Sequence, residues 1–243
     1  GLVCSEEHDG IAYFAFGSPN KIERFDLTAD SWMAAIPLES PPTAMTVDDT
    51  GIYLAFGANV FRTRLDGSDA TPLCTTGYSV HGLHAGGTYL FSVYSSGLYA
   101  RVKSVNKSTG VVADDMSSYV HSLNGSSFAP SLGKLFGRTQ GISPSDIVQV
   151  VASADGTLSG SQDSPYHGDY ASASRTWVFP DDSKVVDDSG TVYRTSDLTY
   201  AGSFGQHVDA IAFAGNSPLI ANNGVLFACT ESFLEIGRFI PVN

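Results

Sequence analysis

The stretch that decides the fold runs from Gly51 to Gly67 and reads Gly-Ile-Tyr-Leu-Ala-Phe-Gly-Ala-Asn-Val-Phe-Arg-Thr-Arg-Leu-Asp-Gly. Two runs rich in aromatic and aliphatic residues flank a Gly-Ala-Asn turn, and Asp66-Gly67 is a second turn signal. Alternation of apolar and polar residues with a period of two is typical of half-buried strands. The stretch therefore predicts two neighbouring antiparallel strands joined by a tight turn.

Related stretches recur along the whole chain at intervals of about 40 residues, the length of a four-stranded propeller blade. The equivalent positions in the six repeats are Ile22, Val60, Leu98, Ile147, Val192 and Val225. In the second repeat the four predicted strands cover residues 43–49, 52–57, 60–65 and 71–75. The fourth repeat carries the longest insertions, at 141–144 and 163–170.

The repeats predict an all-β fold, a six-bladed β-propeller of four-stranded antiparallel blades. A seven-bladed propeller is the alternative if the long fourth repeat hides another short sheet. No linker or shift in composition divides the chain, so residues 1–243 are expected to form a single β-propeller domain, which is compatible with excision from a larger protein. A single blade cannot bury both faces of its sheet, so neighbouring blades must stack.

The repeats resemble those of the β-propeller superfamily, including kelch, YVTN-like and WD40 blades. In the first repeat Phe25-Asp26, Trp32 and Pro37-Leu38 are similar to the end of a kelch repeat, although the kelch double glycine is absent because Gly17 stands alone. The stretch 80–83 resembles the Gly-His region of WD40 repeats, but no Trp-Asp dipeptide follows. The subfamily is not resolved, and likeness at this level implies the fold without an activity.

Composition restricts the classes of partner. The chain has 25 acidic residues against 13 Lys and Arg, a net charge of −12, and no basic patch, so a nucleic-acid partner is not expected. No apolar run reaches membrane-spanning length, so no membrane insertion is expected either. Low Lys content and abundant Ser, Thr, Gly and Asp favour an extracellular or cell-surface protein, with the periplasm also possible. The oligomeric state is left open.

The sequence lacks the motifs of common catalytic and nucleotide sites: G-x-S-x-G, H-E-x-x-H, a P-loop and an EF-hand loop. The predicted function is therefore a non-catalytic interaction module that binds a protein or a glycan through loops on a rigid scaffold. The alternatives are a lyase or hydrolase with its site at the mouth of the central channel, or a structural spacer in a larger surface protein. No cofactor is expected, apart from a possible divalent cation.

Most acidic and aromatic residues have a structural interpretation. The doublets Asp48-Asp49, Asp114-Asp115, Asp181-Asp182 and Asp187-Asp188 are expected to be turn residues, because Asp bonds to its own backbone at strand ends. Trp32 and Trp177 are expected to pack within blades, with a sugar-stacking platform as the alternative for one of them. The cysteines Cys4, Cys74 and Cys229 are expected to be buried small apolar residues; a Cys4–Cys229 bond is the sharper alternative.

A ligand site is predicted at the axial mouth of the propeller. The starts of the first strands align a polar residue before a small one, and these polar residues are Thr43, His81, His121 and Asp209. Because first strands are innermost in a propeller, equivalent positions converge around the channel. His81, His121 and Asp209 are predicted metal ligands, since two imidazoles and a carboxylate suit zinc or a similar ion. The competing hypothesis is a hydrogen-bonded polar lining of the channel.

Overall fold

The computed structural model describes residues 1–97, 99–117 and 123–239. This part of the chain contains 25 β-strands in six sheets, and each sheet is built from strands that follow one another in sequence. The described residues contain no helix long and apolar enough to cross a membrane. Abundant β-branched and aromatic residues separated by Gly and Asp turns account for this all-β structure.

The chain divides into two compact units. The first unit comprises Gly1–Ser117 and Ala152–Leu158 and contains three sheets. The strands of the first sheet are β1 (Leu2–His8), β2 (Ile11–Gly17), β3 (Asn20–Asp26), and the two short strands β4 (Ser31–Trp32) and β5 (Ile36–Pro37), which both pair with β3. The second sheet contains β6 (Ala44–Asp48), β7 (Gly51–Phe56), β8 (Asn59–Thr63) and β9 (Thr71–Thr75). The third contains β10 (Val80–Gly86), β11 (Tyr89–Ser96), β12 (Tyr99–Asn106) and β13 (Val112–Ser117).

The second unit comprises Ser118–Val151 and Ser159–Asn243 and holds the other three sheets. The fourth sheet contains β14 (Asn124–Ala129), β15 (Lys134–Arg138), β16 (Ile147–Ala152) and β17 (Leu158–Asp163). The fifth contains β18 (Thr176–Val178), β19 (Lys184–Asp187), β20 (Thr191–Arg194) and β21 (Tyr200–Ser203). The sixth contains β22 (Ala210–Ala214), β23 (Ser217–Asn222), β24 (Val225–Cys229) and β25 (Glu235–Phe239).

The six sheets are the blades of a six-bladed β-propeller, which confirms the predicted fold class. Among the described residues there is no seventh sheet, and the long fourth repeat forms one sheet with long loops. Five of the six equivalent positions lie on the third strand of their sheets, as the repeat predicts: Ile22, Val60, Ile147, Val192 and Val225. Leu98 lies outside the described residues.

The sheets of the first unit bury their faces unequally. In β7 both faces are covered: Leu54 packs in the core shared with the first sheet, and Tyr53 packs in the core shared with the third. In β2 the alternation continues, but only the face that carries Tyr13 and Ala15 is fully buried, while Phe14 on the other face is half-buried. The first sheet therefore presents one partly open face.

The second unit repeats this arrangement. In the fifth sheet Val185 and Tyr193 pack in the core shared with the fourth sheet, whereas Val186 and Val192 pack in the core shared with the sixth. The sixth sheet buries Ile220, Phe227 and Cys229 on one face. Leu226, on the other face of β24, is exposed. The last sheet of this unit is thus also covered on one face.

The predicted turn roles of the acidic doublets hold for three first members, whereas the prediction is wrong for Asp114-Asp115, which lies within β13. Asp48, Asp181 and Asp187 accept hydrogen bonds from the backbone N–H of the residue two positions later, at 2.8, 3.0 and 3.0 Å. The same geometry forms at Asp66, where the next residue, Gly67, has φ +86°. A Cβ on Gly67 would stand 2.4 Å from Ile36 Cγ2, so the tight turn also requires a missing side chain.

The structure confirms only some of the predictions made for the cysteines and the tryptophans. All three cysteines are free thiols packed among apolar residues, and the Cys4–Cys229 bond is not formed. Only Cys229 is buried as predicted, whereas Cys4 and Cys74 are half-buried. Trp177 packs against the cores of the second unit, as predicted. The prediction for Trp32 is wrong, because this side chain is 64% exposed. It lies on the two-residue strand β4 at the edge of the partly open face.

Candidate functional site

The predicted ligand His81 lies near the start of β10. The register of β10 with β11 shifts between Val80 and Gly82, which makes His81 the extra residue of a β-bulge. Its Nε2 is 2.9 Å from Ser95 Oγ. Burial lowers the pKa of His81 below its ordinary value of 6.5. A neutral imidazole is compatible with either metal binding or a hydrogen-bonded lining, so the structure leaves both hypotheses standing.

Thr43 and Asp209, two further residues of the predicted axial site, have local partners. The backbone N–H and the hydroxyl of Thr43 both donate to Ala55 O, at 2.7 and 3.3 Å. Asp209 lies in the second unit, where its Oδ2 accepts a hydrogen bond of 2.7 Å from the backbone of Asn223 and its Oδ1 is 3.4 Å from His207 Nε2. His121 lies outside the described residues. The axial site therefore remains a prediction.

A different group of ligand-type side chains meets in the second unit. Asp146, Asp163 and His167 each offer one ligand atom, and these three atoms lie within 4.8 Å of one another. We call this group the insertion cluster, because it lies where the two long insertions of the fourth repeat meet. Asp146 immediately precedes β16, Asp163 ends β17, and His167 follows in the loop. Within the described ranges, no other set of three His, Cys, Asp or Glu residues has this spacing.

Local hydrogen bonds fix the backbone around the insertion cluster. Thr139 and Asp146 bond reciprocally: Thr139 N–H donates to Asp146 O at 2.9 Å, and Asp146 N–H donates to Thr139 Oγ1 at 2.8 Å. Gly168 N–H donates to Asp146 Oδ1 at 3.2 Å. A Cβ on Gly168, which has φ +82°, would stand 2.8 Å from Pro144 Cβ. The first insertion therefore packs closely against the second.

The charges of the cluster are unevenly exposed. Asp146 is 6% exposed, whereas the side chain of His167 is 79% exposed, with its Nδ1 3.5 Å from Asp146 Oδ2. Partial desolvation raises the pKa of the exposed Asp163, and the neighbouring Asp146 carboxylate raises it further, while Ser164, His167 and Arg138 act in the opposite direction. One buried and one exposed carboxylate therefore lie close together in this cluster.

Arg138 bonds the backbone at the residues that directly follow the two insertions. Its Nη2 donates to the carbonyls of Ser145 and Ala171, at 2.6 and 3.3 Å, and its Nη1 is 3.1 Å from Asp187 Oδ2. Arg138 and Asp187 are 1% and 0% exposed, so this is a fully buried ion pair. Burial raises the pKa of Asp187, and the hydrogen bond from Ser189 and the charge of Arg138 counteract that rise.

A third feature lies on the first sheet and consists of Phe14, Phe25 and Trp32, which we call the aromatic face. The ring centroids of Phe25 and Trp32 are 5.0 Å apart at 73°, and those of Phe14 and Trp32 are 6.0 Å apart at 52°. These tilted and edge-on arrangements are the ones that aromatic pairs prefer. On the same strand as Phe25, the ammonium of Lys21 pairs with the carboxylate of Glu23.

Comparison with known proteins identifies the fold. No family model matches the chain, and no curated protein sequence matches it. The WD40 β-propeller domain of Doa1 is similar, with a TM-score of 0.71 over 99% of this chain and 82% of that chain, at 11% identity. A chain of the nidogen/laminin complex has a TM-score of 0.66 over 95% and 93%, at 16% identity. Hydrazine synthase of Kuenenia stuttgartiensis has a TM-score of 0.70 over 91% and 74%, at 11% identity.

These likenesses place the chain among β-propellers and leave the subfamily open, as the sequence does. They come from a WD40 domain, a component of a protein complex and an enzyme. At such low identity they show the fold alone, and one fold hosts many unrelated functions. The function must therefore be argued from the side chains of this chain.

Neither the insertion cluster nor the exposure of Trp32 follows from the sequence patterns. The insertions themselves were recognised as the longest in the chain, but three scattered residues spaced 17 and four apart match no ligand motif. The exposure of Trp32 is unexpected because the kelch-like pattern predicts a packed side chain. Its absence from the other repeats was the available signal that it departs from the common blade structure.

Proposed function

We propose that this protein is a non-catalytic interaction module, a secreted or cell-surface β-propeller that binds a protein partner through the aromatic face. One observation carries the proposal: Trp32 is 64% exposed and is held in a fixed orientation against Phe25 and Phe14. Exposed apolar patches on soluble proteins mark interaction sites, and Trp is enriched among the residues that dominate binding energy.

The chemistry of the face favours a protein over a glycan. The three rings are tilted against one another, whereas stacking on a sugar needs one flat and open platform. The Lys21–Glu23 pair supplies a charged border next to an apolar centre, which is the usual anatomy of a protein interface. Because the chain carries a net charge of −12, we expect the partner to present an apolar patch bordered by Lys or Arg.

The location outside the cell rests on composition, namely few Lys and many Ser, Thr, Gly and Asp. The non-catalytic assignment rests on the lack of a recognisable catalytic motif in the sequence. A lyase or hydrolase at the axial mouth would instead require the predicted residues to bind a substrate or a cation. That alternative gains no support from His81, whose hydrogen bond to Ser95 Oγ suits a structural lining equally well.

Site-specific crosslinking tests the proposal. A photoreactive phenylalanine replaces Trp32 in one variant and Tyr78 in a control variant, since Tyr78 is also an exposed aromatic, at 52%. Both variants are irradiated with intact cells and culture medium of the source organism. We expect position 32 to yield a discrete protein adduct that excess wild-type protein abolishes. Trp32→Ala should compete at least about 30-fold less well, because a central interface residue contributes about 2 kcal/mol or more.

Two results would overturn the proposal. One is competition by Trp32→Ala that equals competition by wild type, because the adduct would then not depend on the aromatic face. The other is binding to a glycan array that is lost in Trp32→Ala and kept in Tyr78→Ala, which would identify a carbohydrate ligand. Circular dichroism confirms the fold of each variant.

A further inference from the structure

We propose that the partner of the aromatic face is a second copy of this chain, which binds through the uncovered face of its sixth sheet. We call the uncovered side of that sheet, with Ala210, Ala221, Leu226 and Phe239, the sixth-sheet face. The inference rests on the proposed function, because it names the partner of the aromatic face. The contact joins the first sheet of one copy to the sixth-sheet face of another.

The sixth-sheet face is apolar and open. The strand register pairs Ala210 with Ala221, Ala221 with Leu226, and Leu226 with Phe239, so the four side chains form one row across the sheet. Leu226 and Phe239 are 37% and 56% exposed, and Ala210 is exposed as well. The opposite side of the sheet is covered, since Phe227 packs there in a core. An open apolar row of this kind marks an interaction surface.

The second sheet contains the same row in a covered form. Its register pairs Ala44 with Ala55 and Ala55 with Val60, which is the pattern of the first three residues of the sixth-sheet face. Both rows begin directly after the polar residues that the sequence aligns, Thr43 and Asp209. Ala44, Ala55 and Val60 are buried in a core shared with the third sheet. The sixth-sheet face is therefore built like a surface that another blade covers.

The covering residues in the third sheet show what kind of surface fits this row. Val80, Leu90 and Tyr94 pack against the row of the second sheet, and all three are buried. Val80 pairs with Tyr94, and the register of β10 with β11 shifts directly after this pair. Leu90 precedes Tyr94 by four residues on the same strand, so both side chains lie on one side of the sheet. A complementary surface thus carries one cross-strand pair and one further apolar residue.

The first sheet carries the same positions, and they are open. Leu2 pairs with Phe16, and the register of β1 with β2 shifts directly after this pair. Ala12 precedes Phe16 by four residues, as Leu90 precedes Tyr94. Leu2 is 55% exposed, and Phe16 and Ala12 are half-buried. Each chain therefore presents both halves of an interface that the second and third sheets form with each other.

The aromatic face belongs to this open side of the first sheet. Phe14 lies between Ala12 and Phe16 on β2, so the period of two places all three side chains on one side. The register pairs Ala12 with Phe25, and Phe25 with Trp32, which extends the same side to β4. A copy docked on this side would therefore cover Trp32 together with Phe14.

Charge makes the contact dependent on salt. Because every copy carries a net charge of −12, two copies repel each other at long range. The row that forms the sixth-sheet face has no charged side chain, so the short-range contact is apolar. We expect added salt to screen the repulsion and to strengthen association. Association that weakens with salt would point to charge pairing and would contradict an apolar contact.

Sedimentation equilibrium of the purified full chain tests the inference. We expect self-association that increases with concentration. Leu226→Arg on the sixth-sheet face and Leu2→Arg on the first sheet should each weaken it at least about 30-fold, because each places an unpaired charge in an apolar contact. Ala70→Arg, which adds the same charge to an exposed loop, is the matched control and should associate like wild type. Circular dichroism confirms that each variant is folded.

A mixing experiment identifies the faces that meet. The contact joins two different faces, so Leu226→Arg protein keeps an intact first sheet and Leu2→Arg protein keeps an intact sixth-sheet face. Each variant alone should be monomeric, whereas an equimolar mixture should form a dimer. A mixture that stays monomeric would overturn the inference. So would wild-type protein that is monomeric at every concentration, or association that Trp32→Ala leaves unchanged.

Crosslinking separates this inference from the proposed function. Purified protein with the photoreactive residue at position 32 should form an adduct of two chains, and peptide mapping should place the link within residues 210–239. If the purified variant stays monomeric but forms an adduct with a different protein on intact cells, the inference is wrong and the proposed function stands. If neither adduct forms, both are wrong.

Discussion

Replacing Arg138 by Met should be among the most damaging single changes in the second unit. Met retains most of the length of the side chain but removes its charge and all its donors. The change leaves Asp187, which is 0% exposed, without its partner at 3.1 Å. It also removes the hydrogen bonds to the carbonyls of Ser145 and Ala171, the residues that directly follow the two insertions.

The magnitude follows from the burial of the pair. Breaking a buried ion pair by removing one partner costs about 3–5 kcal/mol. For a chain of this size each kcal/mol lowers Tm by about 2–4 °C, so Arg138→Met should lower Tm by roughly 6–20 °C. Differential scanning calorimetry near neutral pH measures this, provided that the transition of the second unit is resolved or the chain unfolds in one step.

Matched variants separate the buried pair from a general effect of losing an Arg. Arg194 is exposed and donates to Thr199 and to the carbonyl of Tyr200, so Arg194→Met should cost less than about 1 kcal/mol. Arg138→Met combined with Asp187→Asn should recover part of the loss, since Asn removes the unpaired buried charge and keeps the acceptor oxygen of the turn. An Arg138→Met protein that unfolds within about 1 kcal/mol of wild type would refute the reasoning.

Two further predictions concern titratable groups on β1. Burial raises the pKa of Glu6 from 4.5 to about 7, so the folded state gains from protonation of Glu6 below pH 4.5 and loses that gain as the pH rises through 7. Glu6→Gln should therefore raise the free energy of unfolding by up to about 3 kcal/mol at pH 8 and change it little at pH 4, as measured by urea denaturation; equal effects at both pH values would count against a buried carboxylate. Burial, and secondarily Glu6, raises the pKa of the Cys4 thiol to about 12. Cys4 should thus resist iodoacetamide at pH 8 in the folded protein and react after denaturation, which peptide mass mapping can follow; rapid labelling of Cys4 in the native state would contradict this.

The fold was predictable because the repeat fixes the positions that matter for packing. Val60 and Ile147 were matched by sequence alone, and both prove to be fully buried on third strands. Turn residues mark where strands end, because a pair such as Asp66-Gly67 favours a chain reversal independently of tertiary packing. These are local and periodic signals, and a single sequence contains them in full.

The candidate site was not predictable by the same route. The insertion cluster depends on how two irregular loops fold back on each other, and neither loop has a period from which its path can be inferred. The burial of Asp187 has no local sequence signal for a related reason. Its turn role was predicted correctly, but its second oxygen pairs with Arg138, which is 49 residues away in sequence. Such a long-range pair carries no local signal.

Residues that differ from the common repeat are the better candidates for function. The axial prediction assumed that function uses equivalent positions, so that Thr43 and His81 act together because their strands are equivalent. Equivalent positions, however, are constrained first by packing and backbone bonding, as the two bonds from Thr43 to Ala55 show. Trp32 and the insertion cluster take no part in the packing and backbone bonding that all six blades share. Replacement of Trp32 should therefore cost little stability, whereas loss of a repeat position such as Ile22 should cost about 2–5 kcal/mol for Ile22→Ala.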